Sequence, residues 1–122
     1  MPTRERVQAF VAMVEAGRYV EAIREFYTDD ATMQENLGTM RTGRDALVAH
    51  EEAVLKGVRS ITTWPGSTFA VDGDRVIVRW VFDIEPADGR QFTLDELAHQ
   101  TWRGERIAQE RFYYDPAQRK PA

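Results

Sequence analysis

The sequence predicts an α+β domain, and three observations carry that expectation. Apolar residues recur at helical spacing through most of the first half of the 122-residue chain. They alternate in strand fashion through the second half. Asp72-Gly73, Ala87-Asp88-Gly89 and Arg103-Gly104-Glu105 then punctuate that second half as hairpin turns. Helices segregated from a meander of antiparallel strands is the α+β pattern. The length fits one domain over 1–122, with its patterned part at about 5–116.

Taken in order, Val7, Phe10, Val11 and Val14 stand at the i, i+3, i+4, i+7 spacing of an amphipathic helix. Thr3 is its candidate N-cap and Gly17 its terminator. A second helix places Tyr19, Ile23, Phe26 and Tyr27 on one face, and Asp29-Asp30 is expected to break it. Ala31 to Glu35 reads as a short strand, followed by a loop containing Gly38 and Gly43. A third helix, about Arg44 to Lys56, has Thr42 as candidate cap and Asp45 in its first turn, where the helix dipole favours an anion. Leu47 and Val54 centre its apolar stripe, and His50 and Glu51 flank it, either as rim residues or as pocket wall.

Val58 to Val71 is strand-like but interrupted at Trp64-Pro65-Gly66, the signature of a bulge or bend at an edge. Arg75 to Glu85 alternates cleanly, with Val76, Val78, Trp80, Phe82 and Ile84 on one face. The other face carries Ile77, Arg79, Val81, Asp83 and Glu85, a mixed surface suited to a sheet-to-sheet homodimer. After Asp115-Pro116 the tail has no pattern and is expected to fray.

The hairpin from Gln91 to Asp115 carries the main functional hint. Leu94, Glu96, Ala98, Gln100 and Trp102 share one face, joined across the turn by Glu110, Phe112 and Tyr114. Carboxyl and amide groups thus stand among large aromatics. Burying a carboxylate is costly unless it is paired, hydrogen-bonded or protonated, so such a face lines a pocket more often than a dry core. Asp95, Leu97 and His99 must then face the other way.

Composition excludes several classes. A net charge of −4 with no basic cluster argues against a nucleic-acid surface. The absence of cysteine rules out disulfides and thiol chemistry, and fits a cytoplasmic location. No apolar run reaches membrane-spanning length and no signal peptide is visible. His50 and His99 show no metal-binding spacing, so no metal or other cofactor is expected.

The order helix–Gly17–helix, then FYTDDATMQENLG, then TGRDAL, then a meander ending GERIAQERFYYDP resembles the nuclear-transport-factor-2-like superfamily, and within it the SnoaL-like and ketosteroid-isomerase-like group. The resemblance implies a cystatin-like cone of curved antiparallel sheet closed by three N-terminal helices, usually dimeric through the sheet. It also implies a cone pocket for a hydrophobic small molecule. In the isomerase pattern a carboxylate base falls at Glu35, with Asn36 beside it among the candidate substrate contacts, and a tyrosine is retained at Tyr27. The two oxyanion donors fall at Phe10 and Ala98, which donate nothing, so steroid isomerisation itself is not expected.

Glu51, Glu96, Gln100 and Glu110 are instead expected to face the cone. Several carboxylates in one dry cavity cannot all ionise, which leaves one as base and another as acid. The alternative is that they pair with Arg41, Arg44, Arg79 or Arg111 and hold the sheet. The expected site is therefore Glu35, Tyr27 and Glu110 as catalytic groups. Phe10, Asn36, His50, Glu51, Trp80, Phe82, Glu96, Ala98, Gln100, Phe112 and Tyr114 are its expected substrate contacts. Two functions fit: an acid–base enzyme of the polyketide-cyclase or isomerase type acting on a hydrophobic carbonyl compound, or a non-catalytic dimeric ligand-binding or accessory module.

Overall fold

A computed structural model describes residues 1–119. Helices α1 (Arg4–Glu15) and α2 (Tyr19–Phe26) lead into strand β1 (Tyr27–Glu35) and the short β2 (Arg41–Thr42). Helix α3 (Arg44–Lys56) follows, then β3 (Val58–Thr63), β4 (Phe69–Asp72), β5 (Arg75–Pro86), β6 (Phe92–Arg103) and β7 (Arg106–Tyr113). The strands form one curled seven-stranded sheet in the order β2-β1-β7-β6-β5-β3, with β4 also on β5. The three helices close it into a cone.

Local chemistry explains most of the element boundaries. The Thr3 hydroxyl accepts a hydrogen bond from the Arg6 amide at 3.0 Å, which caps α1. Gly17 takes the positive φ of 80° that reverses the chain after α1. Trp64-Pro65-Gly66 does interrupt the edge, so β3 pairs with Phe82–Pro86 and β4 with Arg75–Val78 of the same strand. Gly104, at φ 62°, opens the two-residue loop between the paired Arg103 and Arg106.

Several expectations are corrected. The sheet is mixed, because β1 runs parallel to β7 while its other pairings are antiparallel. Tyr27 is not on the face of α2; it caps that helix with extended backbone (φ −108°, ψ 148°) and begins β1. Asp29-Asp30 therefore lies inside β1, where its register against β7 shifts, and the two carboxylates pair with Arg44 and Arg103. Thr42 does not cap α3; Gly43 holds that position with φ 99° and no side-chain bond. The tail forms a 3-10 turn, Pro116–Arg119, tied to β6 by Gln118, which accepts from the Asp95 amide and donates to its carbonyl. Residues 120–122 of the expected frayed tail lie outside the described residues.

The core sits between α1, α2 and the inner sheet face. Phe10 is its hub, edge-on to Phe26, Tyr27, Trp80 and Trp102 with ring centroids 5.3 to 6.2 Å away. Such pairs add about 0.5–1.5 kcal/mol each beyond their burial. This hub closes the narrow end of the cone and leaves the wide end open.

Candidate functional site

The inner face of β5, β6 and β7, walled by the helices, encloses a cavity of about 520 Å³. Strict alternation brings the site here: along β6, Leu94, Glu96, Ala98, Gln100 and Trp102 are buried, while Asp95 and Leu97 are exposed. Register sets Gln100 opposite Glu110 and Ala98 opposite Phe112.

At the closed end lies a continuous hydrogen-bonded chain. The Trp102 indole donates to Gln100 Oε1 at 3.0 Å, which fixes the amide so that Nε2 donates to Glu110 Oε2 at 2.6 Å. The Tyr27 hydroxyl donates to the other oxygen, Glu110 Oε1. Burial pushes the Glu110 carboxyl up to about 7 against the pull of these two donors. Burial, then the Glu110 charge, raises the Tyr27 phenol well above its ordinary value. Among the described residues no cation comes within salt-bridge distance of the Glu110 carboxyl.

Glu96 is simpler. It is 7% exposed, and among the described residues no group donates a hydrogen bond to its carboxyl. Burial raises it to about 8, with repulsion from Glu110 and Glu35 adding and Arg119 opposing. At neutral pH Glu96 is mostly the neutral acid. Glu51, on α3, is raised by burial and then by Glu35, and its neighbour His50 is lowered by burial and by Arg41.

The mouth is built differently. Glu35 accepts from the Tyr114 hydroxyl at 2.8 Å and from Arg119 at 3.3 Å, and its second oxygen lies 3.7 Å from Arg41. Arg119 also covers the Tyr114 ring, 5.2 Å from its centroid.

Of the expected site residues, Phe10, Tyr27, Glu35, His50 and Glu51 line the cavity, as do Trp80, Phe82, Glu96, Glu110, Phe112 and Tyr114. Three do not. Ala98 and Gln100 face inward but are wholly buried behind it. Asn36 is a clamp: at φ 50° its side chain accepts from the Tyr114 amide and its carbonyl from Arg111. Among the described residues, Glu35 pairs with Arg41 and Arg119, while Glu51, Glu96 and Glu110 meet no arginine within salt-bridge distance. Sequence reasoning missed Arg119 altogether, and it named Arg41 only as a possible partner. Arg119 lies in a tail with no periodicity, so no local signal could have found it. Among the described residues no cluster of His, Asp and Glu is arranged to hold a metal ion, and no helix is long and apolar enough to cross a membrane.

A cone of sheet over three helices with a carboxyl-lined pocket defines a class, and the sequence comparison agrees. Residues 7–110 match the SnoaL-like domain family, and the chain belongs to it. No curated relative matches the chain. Among solved structures it is similar to a provisionally assigned SnoaL-like polyketide cyclase from Mesorhizobium loti, with 26% identity, TM-score 0.77, and coverage of 93% of this chain and 100% of the other. It is also similar to TerC co-crystallised with polyporic acid, at 21% identity, TM-score 0.75, and coverage of 91% and 89%. A third is a ketosteroid-isomerase-like protein from Catenulispora acidiphila in complex with trimethylamine, at 20% identity, TM-score 0.79, and coverage of 95% and 89%. The last two likenesses establish the fold alone.

Proposed function

We propose that this chain is an acid–base enzyme of the polyketide-cyclase or isomerase type, acting on a hydrophobic carbonyl compound in the cone. One observation carries the reading: Glu96 is a carboxyl in an apolar cavity, unengaged by any described donor, with its proton affinity raised to about 8. A base of that strength suits proton abstraction beside a carbonyl near neutral pH. The base role expected of Glu35 passes to Glu96, because the Glu35 oxygens are committed to Tyr114 and two arginines.

In this reading the ionised Glu96 takes a proton from the carbon next to the carbonyl, and the electron pair moves to the carbonyl oxygen. Tyr27 supplies the donor there. Gln100 occupies Glu110 Oε2, so a proton on Glu110 would sit on Oε1 and reverse the Tyr27 bond. The phenolic hydrogen is then released toward the cavity. Because Glu110, at about 7, gives up its proton more readily than Glu96, at about 8, the reactive form with Glu96 ionised and Glu110 protonated is the minor one of the singly ionised pair. Protonated Glu96 afterwards returns its proton, to another carbon in isomerisation or to the new alkoxide in an aldol cyclisation.

The test is a carbon acid that needs only a base. The protein should open 5-nitrobenzisoxazole to the cyanophenolate, with a rate that rises with pH through about 8. Glu96→Gln should lower it by about 10²–10⁴-fold. The ion-paired Glu35 favours the second reading, a non-catalytic ligand-binding module; a probe that binds without ring opening would decide for that module.

A further inference from the structure

The polar groups of the cavity are sorted by depth. Glu96 and Glu110, at 7% and 3% exposure, have no cation within salt-bridge reach among the described residues. Both guanidinium groups that line the cavity, Arg41 and Arg119, are at its mouth, with side chains 33% and 46% exposed. We propose that the natural ligand is an apolar molecule with one anionic head, the head held by Arg41 and Arg119 at the mouth and the neutral body directed toward Glu96. This rests on the reading of the cone as a small-molecule site and names the class of molecule that enters it.

The charges facing the mouth come from five elements. β1 gives Glu35, β2 gives Arg41, α3 gives His50 and Glu51, β6 gives Glu96, and the 3-10 turn gives Arg119 beside Tyr114. One carboxylate thus serves two arginines. His50 adds no charge at neutral pH, because burial and Arg41 both disfavour its cation. Burial and Glu35 shift Glu51 toward its neutral form, and Glu96 is shifted further still. The mouth thus sets two guanidinium groups against the single carboxylate of Glu35, on a chain whose net charge is −4.

Geometry sharpens this. Among the described residues the Arg41 guanidinium donates no hydrogen bond, and its contact with Glu35, at 3.7 Å, is purely electrostatic. Arg119 uses Nε on Tyr114 and Nη2 on Glu35, both at 3.3 Å, which leaves its remaining N–H donors for another acceptor. An arginine offers five donors in a fork that fits a planar anion. Half-exposed pairs such as these are weak, so an incoming head can share or displace Glu35. Tyr114 and Phe112 continue the wall inward from the arginines, giving an apolar body its path.

Two fluorescent probes with the same ring system separate the possibilities: 8-anilinonaphthalene-1-sulfonate carries an anionic head and N-phenyl-1-naphthylamine has none. The sulfonate should bind the wild-type chain on the order of tenfold tighter, the scale of one charge-assisted hydrogen bond. The double variant Arg41→Met, Arg119→Met should bring the two probes to equal affinity, and Glu35→Gln should tighten the sulfonate alone. The neutral probe, unchanged throughout, reports that the cavity remains folded. Equal binding of both probes to the wild-type chain overturns the anionic head and leaves the cavity reading standing. Equal weakening of both by the arginine variants does the same. If neither probe binds, both readings fall.

Discussion

Asp95 and Glu96 are adjacent carboxyls on one strand, and the molecule treats them in opposite ways. Asp95 points outward, where Arg79 grips it with two hydrogen bonds of 3.0 and 2.7 Å. Those bonds hold the Asp95 carboxyl below its usual range. Glu96 points inward, meets no cation within salt-bridge reach among the described residues, and is raised to about 8. Nothing in the residue types predicts this split; the pleat and the company on each face produce it. The outer face is a solvated surface of compensated charge, and the inner face is a cavity of carboxyls kept near neutrality.

The widest separation between the two faces should appear in proton transfer. With 5-nitrobenzisoxazole as substrate, Glu96→Gln should lower the rate by about 10²–10⁴-fold. Asp95→Asn, one residue away, should change it by less than about twofold, since a screened surface charge has little reach into the cavity. Similar losses in both variants would break the distinction.

Stability against pH should separate the faces next, with opposite signs. Glu96 and Glu110 have folded values raised above the ordinary 4.5 to about 8 and about 7. Between those limits the folded chain binds more protons than the unfolded one, so stability is greatest below 4.5 and falls as pH rises toward 8. Each group contributes on the order of 3–5 kcal/mol across its window, Glu96 the larger share. Asp95 works the other way: its stabilisation is present above its ordinary 3.8 and lost as pH falls below that. Urea midpoints measured from pH 3 to 9 should therefore peak near pH 4, between the ordinary aspartate and glutamate values, and Glu96→Gln should flatten the alkaline limb only. A midpoint that climbs steadily from pH 5 to 8 would contradict the burial of both glutamates.

Much of this was legible in the sequence, for a physical reason. A period of two along 94–102 states which side chains share a face, and Gly104 fixes the hairpin that brings Glu110 opposite Gln100. The parallel contact of β1 with β7 was not legible, because it joins residues about 80 positions apart and no local pattern encodes it. The same contact moved Tyr27 from the helix into a strand and set its hydroxyl on Glu110. Glu35 was placed correctly at the cavity, but its arginine partners come from β2 and from the tail. The committed state of its carboxylate was thus invisible to local reading.

A smaller effect concerns what covers the outer face. Ile77 and Leu97, at 43% and 47% exposure, stand with Tyr113 on the outer side of β5, β6 and β7, and we propose that this is a homodimer contact. Leu97→Asp should weaken association on the order of 10–100-fold, the burial of one large aliphatic group, while leaving ring opening unchanged. Sedimentation across micromolar concentrations checks this, and a single ~14 kDa species of the wild-type chain would remove the proposal.

The smallest expected effect is the outer ion pair itself. Arg79 and Asp95 have side chains 55% and 46% exposed, so water and salt screen them and both side chains are ordered at an entropic cost. Good two-bond geometry puts the pair at the upper end of the surface range, still under about 1 kcal/mol. Arg79→Gln, measured by urea unfolding at pH 7 and low protein concentration, should cost no more than that, and the cost should shrink in added salt. Glu96→Gln, in the same experiment at pH 8.5, should stabilise, because it removes a buried group that is then forced to ionise. A loss of about 3 kcal/mol at Arg79 would mean that the outer pair is desolvated, as a closed sheet-to-sheet contact would make it. The two faces would then differ in pairing alone and no longer in exposure to water.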